Sequence, residues 1–258
     1  MGERRFMIRE YESGEVIERS VFPVGNATKT RKPKEKGSTP PRKQDQNARA
    51  AEKCLARNIN CNFNQGDLWI TLSYSESRLE RLVDRIIQGS PDFTPETIRR
   101  EAIRERDLFL RRVKREMQKQ NIEFKYIAST SDMDGDTGEQ VRIHHHIIVQ
   151  KSAYDAVLKH WSREEAYIRP LRDQKDYTPI AIYIIKQVRR QPDQKKYTSS
   201  RNLAKPKIRE KIILIRQELK APRGAVVMHR GEYDYDSSTQ YIRYVKPPEK
   251  MKRGGRRE

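Results

Sequence analysis

Hydrophobic positions recur along this chain in two periods, and segments of the two kinds alternate. In Arg142-Ile143-His144-His145-His146-Ile147-Ile148-Val149, three histidines run into three β-branched aliphatics, the composition of a strand. Alternation puts His144 and His146 on one face, and His145 on the other with Ile143 and Ile147. Asp67 to Tyr74 reads as a core strand with Leu68, Ile70 and Leu72 on one side. Phe124 to Thr130 predicts another, joined to the histidine strand as an antiparallel hairpin through an acidic, glycine-containing loop, Asp132 to Glu139. Residues 4–24 alternate loosely around Glu12-Ser13-Gly14 and predict a small hairpin. Ala166–Arg169, Ala225–Met228 and Tyr241–Val245 predict short strands, while 208–219 is apolar without a legible period.

The helical period accounts for much of the rest. Residues 44–58 carry Ala51, Leu55 and Asn58 or Ile59 at helical spacing, and 76–90 form a second helix ending at Gly89. Thr94-Pro95-Glu96 opens a longer helix, with Thr94 as N-cap, proline in the first turn and an acid beside it. Its inward stripe is Ile98, Ala102, Phe109, Val113 and Met117, and its outward face carries Arg99, Arg100, Arg104, Arg111, Arg112, Lys114 and Arg115. Ser152 is expected to cap a helix buried through Tyr154, Val157, Leu158 and Trp161. Thr178-Pro179 starts another, with Ala181, Ile184, Ile185 and Val188 inward and Tyr183, Lys186 and Gln187 on a different face.

Composition changes the picture in one respect. The 258 residues hold 55 Lys plus Arg against 36 acids, a formal charge of +19, which attracts polyanions and nucleic acid above all. Residues 25–43 gather Lys29, Arg31, Lys32, Lys34, Lys36, Arg42 and Lys43 among Pro, Gly, Ser and Thr, an extended basic arm that cannot bury a core. The basic, Pro- and Gly-containing tail 246–258 is expected to be disordered. Cys54 and Cys61 build neither a disulfide framework nor a zinc spacing, and no apolar run reaches membrane-spanning length. With no signal peptide at its start, the chain is expected in the cytoplasm.

Two imidazoles on one face of a stiff strand can grip one metal ion. A phenol projecting from a helix can be a covalent nucleophile, and an ammonium one turn away, Lys186, can lower its pKa or steady charge on a transferring group. If the faces of His144, His146 and Tyr183 meet, the chemistry they suit is phosphoryl transfer, which asks mainly for positioning and charge neutralisation.

These residues carry a family resemblance. The chain resembles the HUH endonucleases, named for two histidines around a hydrophobic residue, and among them the replication-associated (Rep) proteins of bacterial rolling-circle plasmids and small phages. Three motifs match in order: the strand Trp69-Ile70-Thr71-Leu72-Ser73-Tyr74, then His144-His145-His146-Ile147-Ile148-Val149, then Tyr183-Ile184-Ile185-Lys186. Asn60-Cys61-Asn62-Phe63 with Asp67, and Ser200-Arg201-Asn202-Leu203 with Lys205-Pro206, are also similar, so the resemblance covers most of 44–206. It implies an α+β fold, a central antiparallel sheet of about five strands flanked by helices (an RRM-like palm). The hairpin and basic arm of 1–43 would precede this core, and strands within 207–245 would complete or extend it.

The resemblance also implies Mg²⁺ or Mn²⁺ on His144 and His146, with Tyr183 as the single nucleophile, since Gln187 stands where a second tyrosine would be. It implies nicking and rejoining of single-stranded DNA or an origin hairpin through a 5′-phosphotyrosine, and Arg142, Lys195, Lys196, Tyr197, Arg201 and Lys205 are the expected DNA contacts. Two positions depart from the pattern. His145 occupies the place of the hydrophobic residue, and Ser131 stands where similar proteins carry an acid, so the third ligand is expected from Asp132, Asp134 or Glu139 of the loop, with Asp132, the nearest, taken first. The chain has no Walker-type loop, so no nucleotide cofactor is expected and unwinding would fall to a host helicase acting with a host polymerase. The alternatives are a DNA-binding relative without chemistry, acting as repressor or origin-binding module, and a transposase or mobilisation relaxase using the same reaction.

Overall fold

A computed structural model of the chain describes residues 5–24, 41–89, 94–188, 195–215, 217–232 and 239–248. The arm expected over 25–43 falls outside these residues except for 41–43, which already belong to a helix, and most of the tail (249–258) falls outside them too. In chain order the elements are β1 (Arg5–Ser13), β2 (Val16–Val24), α1 (Pro41–Asn62), β3 (Leu68–Leu72), α2 (Glu76–Gly89), α3 (Pro95–Lys119), β4 (Tyr126–Met133) and β5 (Gln140–Val149). There follow α4 (Tyr154–His160), β6 (Ala166–Pro170), α5 (Thr178–Lys186), β7 (Thr198–Ser199), β8 (Lys207–Ile213), β9 (Val226–Glu232) and β10 (Gln240–Val245). The class is α+β, with two antiparallel five-stranded sheets, each in its own compact unit: Ser38–Ala204, and Met1–Gly37 with Lys205–Glu258.

In the Ser38–Ala204 unit the strand order is β6-β3-β5-β4-β7. Central β5 is hydrogen-bonded on both edges and covered on both faces, so Ile143 and every residue from His145 to Val149 are buried. Register then sorts the side chains. Thr71 and Ser129 lie opposite His146, Ser131 opposite His144, and Trp69 and Ile127 opposite Ile148, so these residues share one face. Helices α1 and α5 cover that face, burying Leu55, Ile59, Ala181 and Ile184 against Ile127 and Ile148. The other face carries Ile70, Leu72, Ile143 and Ile147 and is covered by α2, α3 and α4 through Leu82, Phe109, Val113 and Val157. Each fully buried aliphatic of this kind stabilises the unit by about 1.5–3 kcal/mol.

Helix α3 begins as its sequence predicts. Thr94 accepts from the Thr97 amide at 3.2 Å while the Thr97 hydroxyl accepts from the Thr94 amide at 3.0 Å, a reciprocal cap. Its inward face is wider than the apolar stripe, because Arg99, expected outward, and Arg106 are both buried. Their guanidinium groups reach β4, Arg99 donating to the Thr130 carbonyl and Asp132, and Arg106 to the Thr130 hydroxyl. Ser152 does not cap α4: a 3₁₀ turn over Lys151–Ala153 comes first, Ala153 and Ala156 are buried, and Tyr154 lies exposed at 36%.

The second unit corrects the domain reading. The N-terminal hairpin and the C-terminal strands, expected as an appendage and an extension of the core, form one sheet in the order β8-β1-β2-β10-β9. The hairpin turns over Gly14 and Glu15 with Ser13 opposite Val16, and Gly14 takes φ 61°, the left-handed region that a tight two-residue turn requires. Phe6, Ile17, Val21, Ile242 and Tyr244 form its core.

Candidate active site

The candidate site lies on the α5 side of the Ser38–Ala204 sheet, where β5 presents His144 and His146. Alternate residues of a strand are about 7 Å apart along the backbone, yet the rings tilt together until their Nε2 atoms are 3.1 Å apart. Each imidazole is oriented through its other nitrogen. His144 Nδ1 sits 2.9 Å from the Arg142 carbonyl oxygen, which can only accept, so Nδ1 carries a proton and Nε2 is the nitrogen left to face a metal. His146 Nδ1 lies 3.2 Å from the Thr71 hydroxyl on β3. Burial, and after it the neighbouring His144, lowers the His146 pKa to about 4, so this ring is neutral at pH 7. His145 points the other way, as alternation requires, and is fully buried between the Tyr74 hydroxyl and the Thr130 hydroxyl, each at 2.9 Å. Burial holds its pKa well below the ordinary imidazole value.

Helix α5 brings Tyr183 to the same place. Ala181, Ile184, Ile185 and Val188 are buried, as the helical period predicts, which turns Tyr183 outward at 45% exposure. Its ring centre is 5.3 Å from that of His146. Trp69 fills the corner, stacked on His146 at 5.0 Å and edge-on to Tyr183 at 5.9 Å. Lys186, one turn after Tyr183, is half-exposed and lies 3.5 Å from Asp136 of the β4–β5 loop; so exposed a pair is weak and opens readily.

The expected third ligand is elsewhere. Asp132 is buried on the α3 side of the sheet, 2.9 Å from an Arg99 guanidinium nitrogen, because β4 continues past Thr130 and a register shift follows Ser131. The group that does approach the imidazoles is Gln187, whose Oε1 is 2.8 Å from His146 Nε2. A glutamine carries no metal signal in a sequence; the available hint was its position one turn beyond Tyr183 on the same side of the helix. Thr71 and Trp69 were legible as strand residues but not as supports of His146. Among the described residues no three His, Cys, Asp or Glu side chains gather as a metal centre. The donor set that converges is two imidazole nitrogens and one carboxamide oxygen, a set that could ligate a divalent ion and that favours Mn²⁺ over the harder Mg²⁺. Gln187 Oε1 can only accept, so without a metal His146 Nε2 carries that ring's proton, which a bound cation would displace.

The expected DNA contacts are spread out. Arg142 is exposed beside Glu76, 3.9 Å away, and Lys195 and Lys205 are exposed, with Lys196 half-buried. Arg201 instead lines a groove of about 730 Å³ with Lys114, Asn121 and Tyr126. Tyr197, expected among the basic side chains as a stacking residue, packs partly into the core, its phenol hydrogen-bonded to Cys54 and Asn58. No described helix is long and apolar enough to cross a membrane. No protein-family model matches the chain, and searches of curated proteins and of solved structures return no match.

Proposed function

We propose that the chain is a metal-dependent endonuclease that nicks and rejoins single-stranded DNA at a rolling-circle origin, forming a 5′-phosphotyrosine on Tyr183. The observation that carries this reading is the meeting, on one face of one sheet, of a half-exposed phenol and two convergent imidazoles, with 5.3 Å between the Tyr183 and His146 rings. The formal charge of +19 supports a polyanionic substrate.

In the proposed reaction the Tyr183 oxygen attacks phosphorus, the bond from phosphorus to the 3′-oxygen breaks, and that oxygen leaves as a 3′-hydroxyl. The phenolic proton goes to solvent, to which the ring is open, and the leaving oxygen takes one up. His144, His146 and Gln187 would hold a divalent cation, which supplies charge withdrawal at a non-bridging phosphate oxygen. Lys186, released from Asp136, steadies the same charge from the next turn of α5. Rejoining reverses these steps, with a 3′-hydroxyl attacking the phosphotyrosine.

The test uses labelled single-stranded DNA with a randomised centre and Mn²⁺. A DNA–protein adduct stable in detergent is expected, lost in Tyr183→Phe and in His144→Ala, and sequencing the attached strands gives the site. Binding without any adduct would overturn the enzyme and leave the origin-binding module.

A further inference from the structure

The geometry points to Ser131 as a positioning residue that holds Gln187 against His146, with Gly135 as its necessary neighbour. This inference rests on the metal-binding reading of the site. Gln187 is the C-cap of α5, where the last carbonyls of a helix have no partner within the helix. Ser131 is fully buried on β4, opposite His144, and its hydroxyl donates to the Gln187 carbonyl oxygen at 2.5 Å. The strand hairpin that carries both histidines thus caps the helix that carries Tyr183. Fixing the Gln187 backbone fixes the origin of a side chain whose Oε1 stands 2.8 Å from His146 Nε2.

The β4–β5 loop closes the same joint from the other side. A Cβ added to Gly135 would lie 3.0 Å from Lys186 Cβ, 3.1 Å from its carbonyl carbon and 3.2 Å from Gln187 Cγ. Glycine is needed there for space. Any larger residue displaces either the loop or the end of α5 by a few tenths of an ångström, and with it the carboxamide. Ser129 supplies the internal control. It too is a buried serine on β4, sharing that face and lying opposite His146, but its hydroxyl has no hydrogen-bond partner.

The measurement is Mn²⁺ binding to the full chain, read from the electron paramagnetic resonance signal of free Mn²⁺ well below the melting temperature, with no DNA present. Ser131→Ala is expected to raise the Mn²⁺ dissociation constant on the order of tenfold, Gly135→Ala to raise it less, and Ser129→Ala to leave it unchanged. A wild-type dissociation constant in Ser131→Ala, or an equal loss in Ser129→Ala, overturns the positioning role. Should the wild-type chain bind no Mn²⁺, and His144→Ala not differ from it, the metal reading itself fails and takes this inference with it. A serine that merely supported the fold would change the melting temperature and leave the Mn²⁺ affinity of folded protein as it was.

Discussion

Gln187 sets the electrostatics of the site. As ligands, its carboxamide and the two imidazoles would offer a cation three uncharged donors and no formal charge. Such a set binds a hard ion weakly, and imidazole favours Mn²⁺ over Mg²⁺. Gln187→Glu keeps the length of the side chain and adds a charge, so Mn²⁺ affinity is expected to rise on the order of tenfold, while Gln187→Ala lowers it by a similar factor. Titration of the variants with Mn²⁺ by calorimetry checks both; affinity unchanged in both would remove Gln187 from the site. The two histidines were legible beforehand because strand alternation is rigid, and Tyr183 because three buried aliphatics fix the rotation of its helix. Asp132 was misread because proximity in sequence is a poor guide across a strand: one residue's step turned it to the opposite face, where Arg99 neutralises it. Ser131, which looked like a missing ligand, instead caps α5, a contact 56 residues away in the chain that no local pattern encodes.

At the scale of elements, the face of the sheet opposite the site is tied together by one carboxylate. Glu165, just before β6, accepts from the Ser75 amide at 3.0 Å, from the Ser75 hydroxyl at 2.5 Å and from Arg78 at 2.6 Å. Arg78, in the first turn of α2, also bonds Glu105 of α3 and lies 3.4 Å over the centre of the Trp161 ring. The edge strand β6, α2 and α3 therefore share a small ionic knot. Burial raises the pKa of Glu165, but the hydrogen bonds from Ser75 and Arg78 outweigh it and leave the carboxyl below its ordinary value. A carboxyl with a lowered folded pKa adds stability that is fully present above the unfolded pKa, about 4.5, and lost as pH falls through the folded value. Glu165→Gln is thus expected to lower the melting temperature at pH 7, with the gap to wild type closing below about pH 4.5. Melts followed by circular dichroism across that range test it, and a gap constant down to pH 3 would deny the knot its charge. Elements with a clean period, such as β3, α3 and α5, were readable in advance. The pairing of β1 with β8 was not, since about 200 residues separate the partners and the exposed Lys207–Ile213 strand has no buried stripe to announce it.

For the whole molecule, the division into units places the candidate chemistry in one unit, while the net positive charge is shared between both. Every residue of the candidate site, from Trp69 to Gln187, lies within Ser38–Ala204, which has its own sheet and two cores of its own. A fragment of residues 38–204 is therefore expected to melt cooperatively and to bind Mn²⁺ within about twofold of the full chain, because no ligand or supporting group has been removed. It would lack the basic sequences of 25–37 and 246–258. Binding to single strands releases counterions in proportion to the phosphates neutralised, with a slope of about −0.7 per contact in a plot of log affinity against log salt. The fragment should then bind an oligothymidine more weakly than the full chain at low salt, with a shallower slope, and the two should converge as salt rises. Fluorescence anisotropy between about 50 and 200 mM salt, the range over which phosphate contacts lose most of their worth, measures both lines. Parallel lines would mean that the terminal basic sequences do not touch the strand, and that the folded surface of the site unit carries the attraction for DNA by itself.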